Sequence, residues 1–276
     1  MSQRIYNVDI TRVPVENLNY RVFKSTNISS YSLYIKAKIY NIKSNTLTKQ
    51  ITNHGTVPSP PIKIDLRSKC PPIYDQGQLG SCTANALCGA VQYEKMSLQG
   101  SRLFVYYNER MLENTIPYDA GAYLSDGVKT LQKYGVCPES EWPYDITKFA
   151  VKPPQKCYTD ALLNTATKVA NIQNTLSAMK NSLINGFPFV VGIAVYTSFE
   201  SQAVANTGIV PMPKPRERLL GGHAVMCVGY DDSKQLWIMR NSWGTNWGDK
   251  GYFYLPYAYL TNSSYSSDLW NIQIIS

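Results

Sequence analysis

Long apolar runs are missing from this chain of 276 residues. None approaches the roughly 18 residues needed to span a bilayer, so no membrane partner is expected. The N-terminus carries Arg4, Asp9 and Arg12 among its apolar residues, which breaks up any signal-peptide core. Histidine is nearly absent, with two in all, and the six cysteines include no C-x-x-C pair. That inventory is too sparse for a disulfide scaffold, and no metal site or cofactor is expected. Charged residues make up 17% and apolar residues 44%, the balance of an ordinary globular protein, which argues against disorder.

The charge that is present is uneven. Residues 1–62 hold eight Lys or Arg (Arg4, Arg12, Arg21, Lys24, Lys36, Lys38, Lys43, Lys49) against Asp9 and Glu16, so most of the net charge of +8 lies there. Lys36 and Lys38 alternate with apolar residues from Tyr34 to Tyr40, the pattern of a strand with one solvated face. A basic arm for nucleic acid is therefore the weaker reading of this segment.

Proline marks the first boundary. Val57-Pro58-Ser59-Pro60-Pro61 cannot continue a helix or a central strand and reads as an extended linker. Beyond it the pattern is helical: one helix from near Ser81 to Gln99-Gly100, one over Leu103–Leu112, and one from about Ser125 to Tyr134 capped by Gly135. Trp142-Pro143-Tyr144 and Lys152-Pro153-Pro154 mark a long loop. After about residue 165 the signal changes to strands, at 189–195, 224–228, 236–239 and 251–254, preceded by a helix around Thr175–Asn185. The expectation is an α+β fold with a helical part at 63–165, a β part at 166–276 and a cleft between them.

Three short stretches carry chemistry. His223 is the one histidine of residues 63–276; it follows Gly221-Gly222 and opens the run Ala224–Val228. Alone, such a histidine is ordinarily structural. Cys82 follows the glycine-punctuated loop Asp75–Ser81 and opens a helix, where the positive end of the macrodipole favours thiolate. Elsewhere a cysteine is ordinarily a buried inert thiol, the reading for Cys88 and Cys227. Cys70, Cys137 and Cys157 lie beside loops containing Pro and Lys, and whether they pair is open. In Asn241-Ser242-Trp243-Gly244-Thr245-Asn246-Trp247-Gly248, the Asn241 carbonyl can hold the second nitrogen of an imidazole base, and Trp243 can roof that bond.

Gln76-Gly77…Gly80-Ser81-Cys82, Gly222-His223-Ala224-Val225 and Asn241-Ser242-Trp243-Gly244…Trp247-Gly248 together resemble the three signature blocks of the papain and cathepsin family of cysteine proteases, in the family's order. The resemblance covers most of residues 57–276, with Ile64-Asp65-Leu66-Arg67 similar to the mature start. It implies a papain-like fold, a helical subdomain and a β-barrel-like one flanking the active-site cleft. It also implies roles: Cys82 as nucleophile, His223 as its base, Asn241 as orienting amide and Gln76 as oxyanion donor. Gly121, Tyr123, Leu124, Gly222, Ala224 and Trp243 fall at substrate-binding positions, with the pocket floor near Ser267–Trp270. Peptides or proteins are then the substrates.

The departures are Leu79 where the family carries a disulfide-forming cysteine, Thr83 where an aromatic follows the nucleophile, and Ala122 where a second glycine is common. They place the chain among divergent members of bacterial and large-virus type, as does its wealth of Asn, Ile, Lys and Tyr. A cytoplasmic or virion location is expected over classical secretion. Residues 1–62 resemble a pro-region of cathepsin-B length, an inhibitor in its own chain, and Gly222 is also cathepsin-B-like. The His-His pair of an occluding loop is missing, so an endopeptidase made as a zymogen is expected. The rival reading is a catalytically silent protein on the same fold, with the N-terminal segment filling the cleft or contacting a partner.

Overall fold

The computed structural model describes residues 59–276. The strand expected at Tyr34–Tyr40, His54 and nearly all of the basic segment lie outside the described residues. Residues 60–276 fall within one compact unit. No helix among the described residues is long and apolar enough to cross a membrane.

Strand β1 (Lys63–Asp65) opens the described chain, followed by helices α1 (Cys82–Glu94), α2 (Arg102–Leu112), α3 (Leu124–Lys133) and α4 (Gln155–Ala161). Then come β2 (Ala166–Asn171), α5 (Leu176–Ile184), β3 (Phe189–Tyr196), α6 (Gln202–Thr207) and β4 (Leu219–Asp231). The chain ends with β5 (Leu236–Arg240), β6 (Tyr252–Pro256), α7 (Tyr257–Leu260) and β7 (Ser266–Ile275). The result is α+β, as expected. The seven strands form one antiparallel sheet in the order β2-β7-β3-β4-β5-β6, with β1 paired to β4. The sheet stays open at β2 and β6 and does not close into the barrel that the family resemblance implies.

Helix α1 is the spine of the helical layer. Every residue from Cys82 to Gln92 is buried, including the small Ala84, Ala86, Gly89 and Ala90. A helix that is apolar nearly all round belongs inside a core, and small residues let neighbours approach closely. A Cβ on Gly89 would lie 2.7 Å from Arg240 Nη1 at the end of β5. Leu87 and Val91 of α1 share one core with Leu103, Leu131 and the sheet residues Val190, Met226 and Val228. A second core on the sheet gathers Phe189, Val191, Trp237, Phe253 and the Trp243–Trp247 pair.

Strand β4 is the centre of the sheet. It pairs with β3 through Gly221–Cys227, with β5 through Met226–Asp231 and with β1 through Gly229–Asp231. His223 sits opposite Ile193, so the strand beneath it is buried on both sides. Gly135 ends α3 at φ 71°, and a Cβ there would meet the Ala161 carbonyl at 1.9 Å, so both backbone and space require glycine.

Candidate active site

Cys82 is the first residue of α1, behind the loop 74–81, and only 3% exposed. Burial pushes its thiol up to about 12, against the pull of the backbone N–H groups of Ala224, Thr83 and Cys82 itself. Those N–H groups pull toward thiolate, but desolvation outweighs them, so the helix start alone does not lower this thiol. The contact with Ala224 places the sulfur against β4, one residue from His223.

The orientation of His223 follows from hydrogen-bond bookkeeping. Asn241 Oδ1 accepts the Ser242 N–H at 2.8 Å, so that amide atom is the oxygen. The same oxygen lies 2.8 Å from His223 Nε2, which must then carry the proton and donate it. Nδ1 is left as the basic nitrogen of the neutral ring. Trp243 stacks on the imidazole at 4.7 Å and 25°, and it packs edge-on against Phe199 and Trp247. This aromatic wall keeps water from the Asn241–His223 bond, and both residues are buried. Asn241 is held further by its own N–H, which donates to the Gly251 carbonyl.

Gln76 is fixed at both ends of its amide. Its Oε1 accepts Ser242 Oγ–H at 2.7 Å, and its Nε2 donates to the Leu79 carbonyl at 3.0 Å. A primary amide has a second N–H, which that arrangement leaves to another acceptor. Gln76 N–H donates to the Ser242 carbonyl and Gly244 N–H to that of Tyr74, so the two loops run together as a short antiparallel pair. Gln76 and Asn241 are thereby locked in one register.

Several positioning residues escaped the sequence reading. Tyr144 Oη donates to the Gln76 carbonyl at 2.9 Å and so accepts from Ser81 Oγ at 2.5 Å. Asp119 accepts the Gly80 N–H with both oxygens, and Tyr106 Oη donates to it. Arg102 joins Glu139 at 2.6 Å, lies over the Tyr74 and Tyr144 rings, and reaches the Asp75 carbonyl. A tyrosine beside tryptophan-proline in a loop was the one visible signal.

Of the substrate-side candidates, Gly121 has φ 72° and donates its N–H to Tyr106 Oη at 3.2 Å. Tyr123 is half-buried with its N–H on Glu113 Oε1, Leu124 is buried at the start of α3, and Gly222 and Ala224 are both buried in β4. The segment expected to floor the pocket reaches them through Asp268, at φ 59°, whose Oδ2 accepts the Ser125 N–H at 2.9 Å. Burial raises the Asp268 carboxyl, while the Trp270 indole and Ser125 N–H groups hold it down. His223 belongs to no metal-ligand group; among the described residues the one such group is Cys137, Glu141 and Cys157.

The family model "Papain family cysteine protease" matches residues 60–266. A peptidase C1-like protein of Acanthamoeba polyphaga mimivirus is 46% identical over 216 residues, 73% of this chain and 70% of that one. Cysteine proteinase 3 of Entamoeba histolytica is 30% identical over 207 residues, 73% of this chain and 64% of the relative. Among solved structures, xylellain, a cysteine protease from Xylella fastidiosa, is similar with TM-score 0.71 and 42% identity, covering 78% of this chain and 87% of that one. With a thiol, an imidazole and an orienting amide set on a helix start, a central strand and a tryptophan-roofed loop, the chain belongs to the papain family of cysteine proteases.

Proposed function

We propose that the protein is an endopeptidase that cuts peptide bonds through an acyl-enzyme on Cys82, and that it is made as a zymogen. The observation that carries the reading is the Asn241 Oδ1–His223 Nε2 bond, which selects the tautomer with a basic Nδ1. His223 Nδ1 takes the Cys82 proton, and the thiolate attacks the substrate carbonyl carbon. The Cys82 N–H and the second Gln76 Nε2–H receive the oxyanion. The imidazolium then protonates the departing amine, leaving a thioester. Water attacks that thioester while His223 takes its proton, and the acid product leaves as the thiol re-forms.

Because burial alone would keep Cys82 a thiol, the thiolate depends on the imidazolium as counter-ion. Gly121 would pair with the peptide backbone; Tyr123, Leu124, Gly222 and Ala224 would line the pocket for an apolar side chain, with Trp243 beside it. Residues 1–62 would act as the chain's own inhibitor, joined through Pro60 and Pro61, which are exposed. One observation favours the silent-protein rival: the 3% exposure of the Cys82 residue.

The test compares full-length wild type with Cys82→Ala on a fluorogenic dipeptide substrate from acid to neutral pH, with chain length followed on a gel. Turnover and shortening in wild type alone are expected. Gln76→Ala should lower kcat by roughly 10²–10³-fold with KM held. No turnover by wild type in any form, intact or shortened, would leave the rival standing.

A further inference from the structure

Three donor atoms outside the active site crowd together: the sulfurs of Cys137 and Cys157 and a carboxylate oxygen of Glu141, all within 4.8 Å of one another. Both cysteines are buried, in a small apolar cluster with Phe104 and Ala161 and against Tyr134, Trp142 and Tyr158. Cys137 follows α3 and Cys157 lies in α4, so the two thiols bracket residues 138–156.

That bracketed loop is the brace of the active-site loop. Within it Glu139 holds Arg102, the Trp142 carbonyl accepts Ser101 Oγ–H at 2.7 Å, and Tyr144 holds Ser81 Oγ and the Gln76 carbonyl. The Phe149 carbonyl accepts from Arg110. Whatever fixes the ends of this loop limits how far Tyr144 can move, and through it Gln76 and the start of α1.

A metal ion is the poorer occupant of the cluster. The group offers three ligands where a structural zinc takes four. Glu141 Oε1 is already paired with the Lys156 ammonium at 2.8 Å, although Glu141 Oε2 is buried with no hydrogen-bond partner among the described residues. We propose that Cys137 and Cys157 are a redox pair that closes to a disulfide when an oxidised low-molecular-weight disulfide is supplied, and that closure stiffens the brace on Gln76 and Cys82. The exchange passes through a mixed disulfide: one protein thiolate attacks the small disulfide and releases a small thiol. The second protein thiolate then attacks the joined cysteine sulfur and releases another. Two electrons and two protons leave the protein, and the oxidant is reduced to two thiols. Burial raises both thiols and lowers their thiolate fraction, so the exchange is slow even when the small disulfide is supplied.

The role assigned to Gln76 rests on the reading above, but the test needs no turnover. The full chain with Cys82→Ala, which removes the competing thiol, is equilibrated with oxidised or reduced glutathione, then unfolded and alkylated. A peptide pair joining Cys137 to Cys157 is expected after oxidation, with Tm raised by roughly 6–12 °C. Amide hydrogen exchange at 76–81 should slow several-fold, and all three responses should vanish in Cys137→Ser/Cys157→Ser. Recovery of both cysteines as free thiols overturns the pair. So does stoichiometric zinc retained after dialysis with zinc that blocks the oxidation. A joined pair with unchanged exchange at 76–81 overturns the bracing.

Discussion

Glu109 makes no ion pair among the described residues, yet it is wholly buried one helix away from Cys82. Thr83 Oγ1 donates to its Oε2 at 2.8 Å, while Oε1 is buried without a hydrogen-bond partner. The neighbouring Arg110 guanidinium is turned to the carbonyls of Ile116, Tyr118 and Phe149. Burial therefore holds the Glu109 carboxyl well above its ordinary 4.5, and burial likewise lifts Glu113 to about 7. For an acid raised in the native state, the folded chain holds the extra proton, so stability is full below about 4.5 and declines as pH rises. Glu109→Gln should match wild type near pH 4 and gain on it toward neutrality, by up to about 1.4 kcal/mol per pH unit across the window. Thermal melts of both proteins at pH 4 and pH 7.5 check this; equal gaps at the two pH values refute a protonated Glu109. At Cys82, alkylation by iodoacetamide at pH 6 should fall at least ~100-fold in His223→Ala, because a thiol without its imidazolium reverts to the ordinary range or higher. Asn241→Ala should cost less, since the amide orients a ring and moves no proton; mass spectrometry of the labelled peptide reads both. The residues of this apparatus differ in legibility. Cys82, His223, Asn241 and Gln76 stand in short motifs whose neighbours in sequence are also neighbours in space. Asp119 and Tyr144 meet Gly80 and Ser81 across 39 and 63 residues, and no local pattern records such a meeting.

Helix α1 shows how an element's composition answers to what crosses it. Gly89 is where Arg240 passes, with Nη1 2.7 Å from a would-be Cβ. Arg240 cannot give way easily, because its guanidinium lies over the Tyr74 ring and its Nη2 donates to the Pro72 carbonyl at 2.5 Å. Gly89→Val should destabilise the fold by about 1–3 kcal/mol, the cost of overpacking. A lower urea midpoint with unchanged slope is the expected signature. Helices α1, α2, α3 and α5 were legible because 3-4 spacing survives in them, although α1 stops at Glu94, short of the expected Gly100. β3 was legible as a continuous apolar run, which is what burial on both faces produces. β2 and β7 were not: Ala166–Asn171 is a polar end strand, and Ser266–Ile275 is interrupted by Asp268 and by a register shift against β3. α4 follows two prolines, and proline suits a helix start as well as a loop.

The described part of the chain opens at the linker. Tyr230 Oη donates to the Pro61 carbonyl at 2.6 Å, and β1 pairs Lys63–Asp65 with Asp231–Gly229. A chain starting at Leu66 should melt several degrees below one starting at Ser59, because it loses β1. If residues 1–58 inhibit, the chain starting at Ser59 should show higher activity than the full protein; equal activity would make the segment part of the working enzyme or a binding element of its own. The basic balance of residues 1–62 is plain from composition.

The pairing of β1 with β4 also sets a limit on shortening from the front. A protease takes its substrate as an extended, unpaired backbone, and a strand already hydrogen-bonded into a sheet offers none. Trimming that proceeds residue by residue would therefore stall on reaching Pro61 and Ile62, whose carbonyls are engaged by Tyr230 Oη and the Asp232 N–H. Were the segment ahead of it removed, the sheet would act as a ruler for the terminus left behind, and ends produced by different proteases should converge within a few residues of one another.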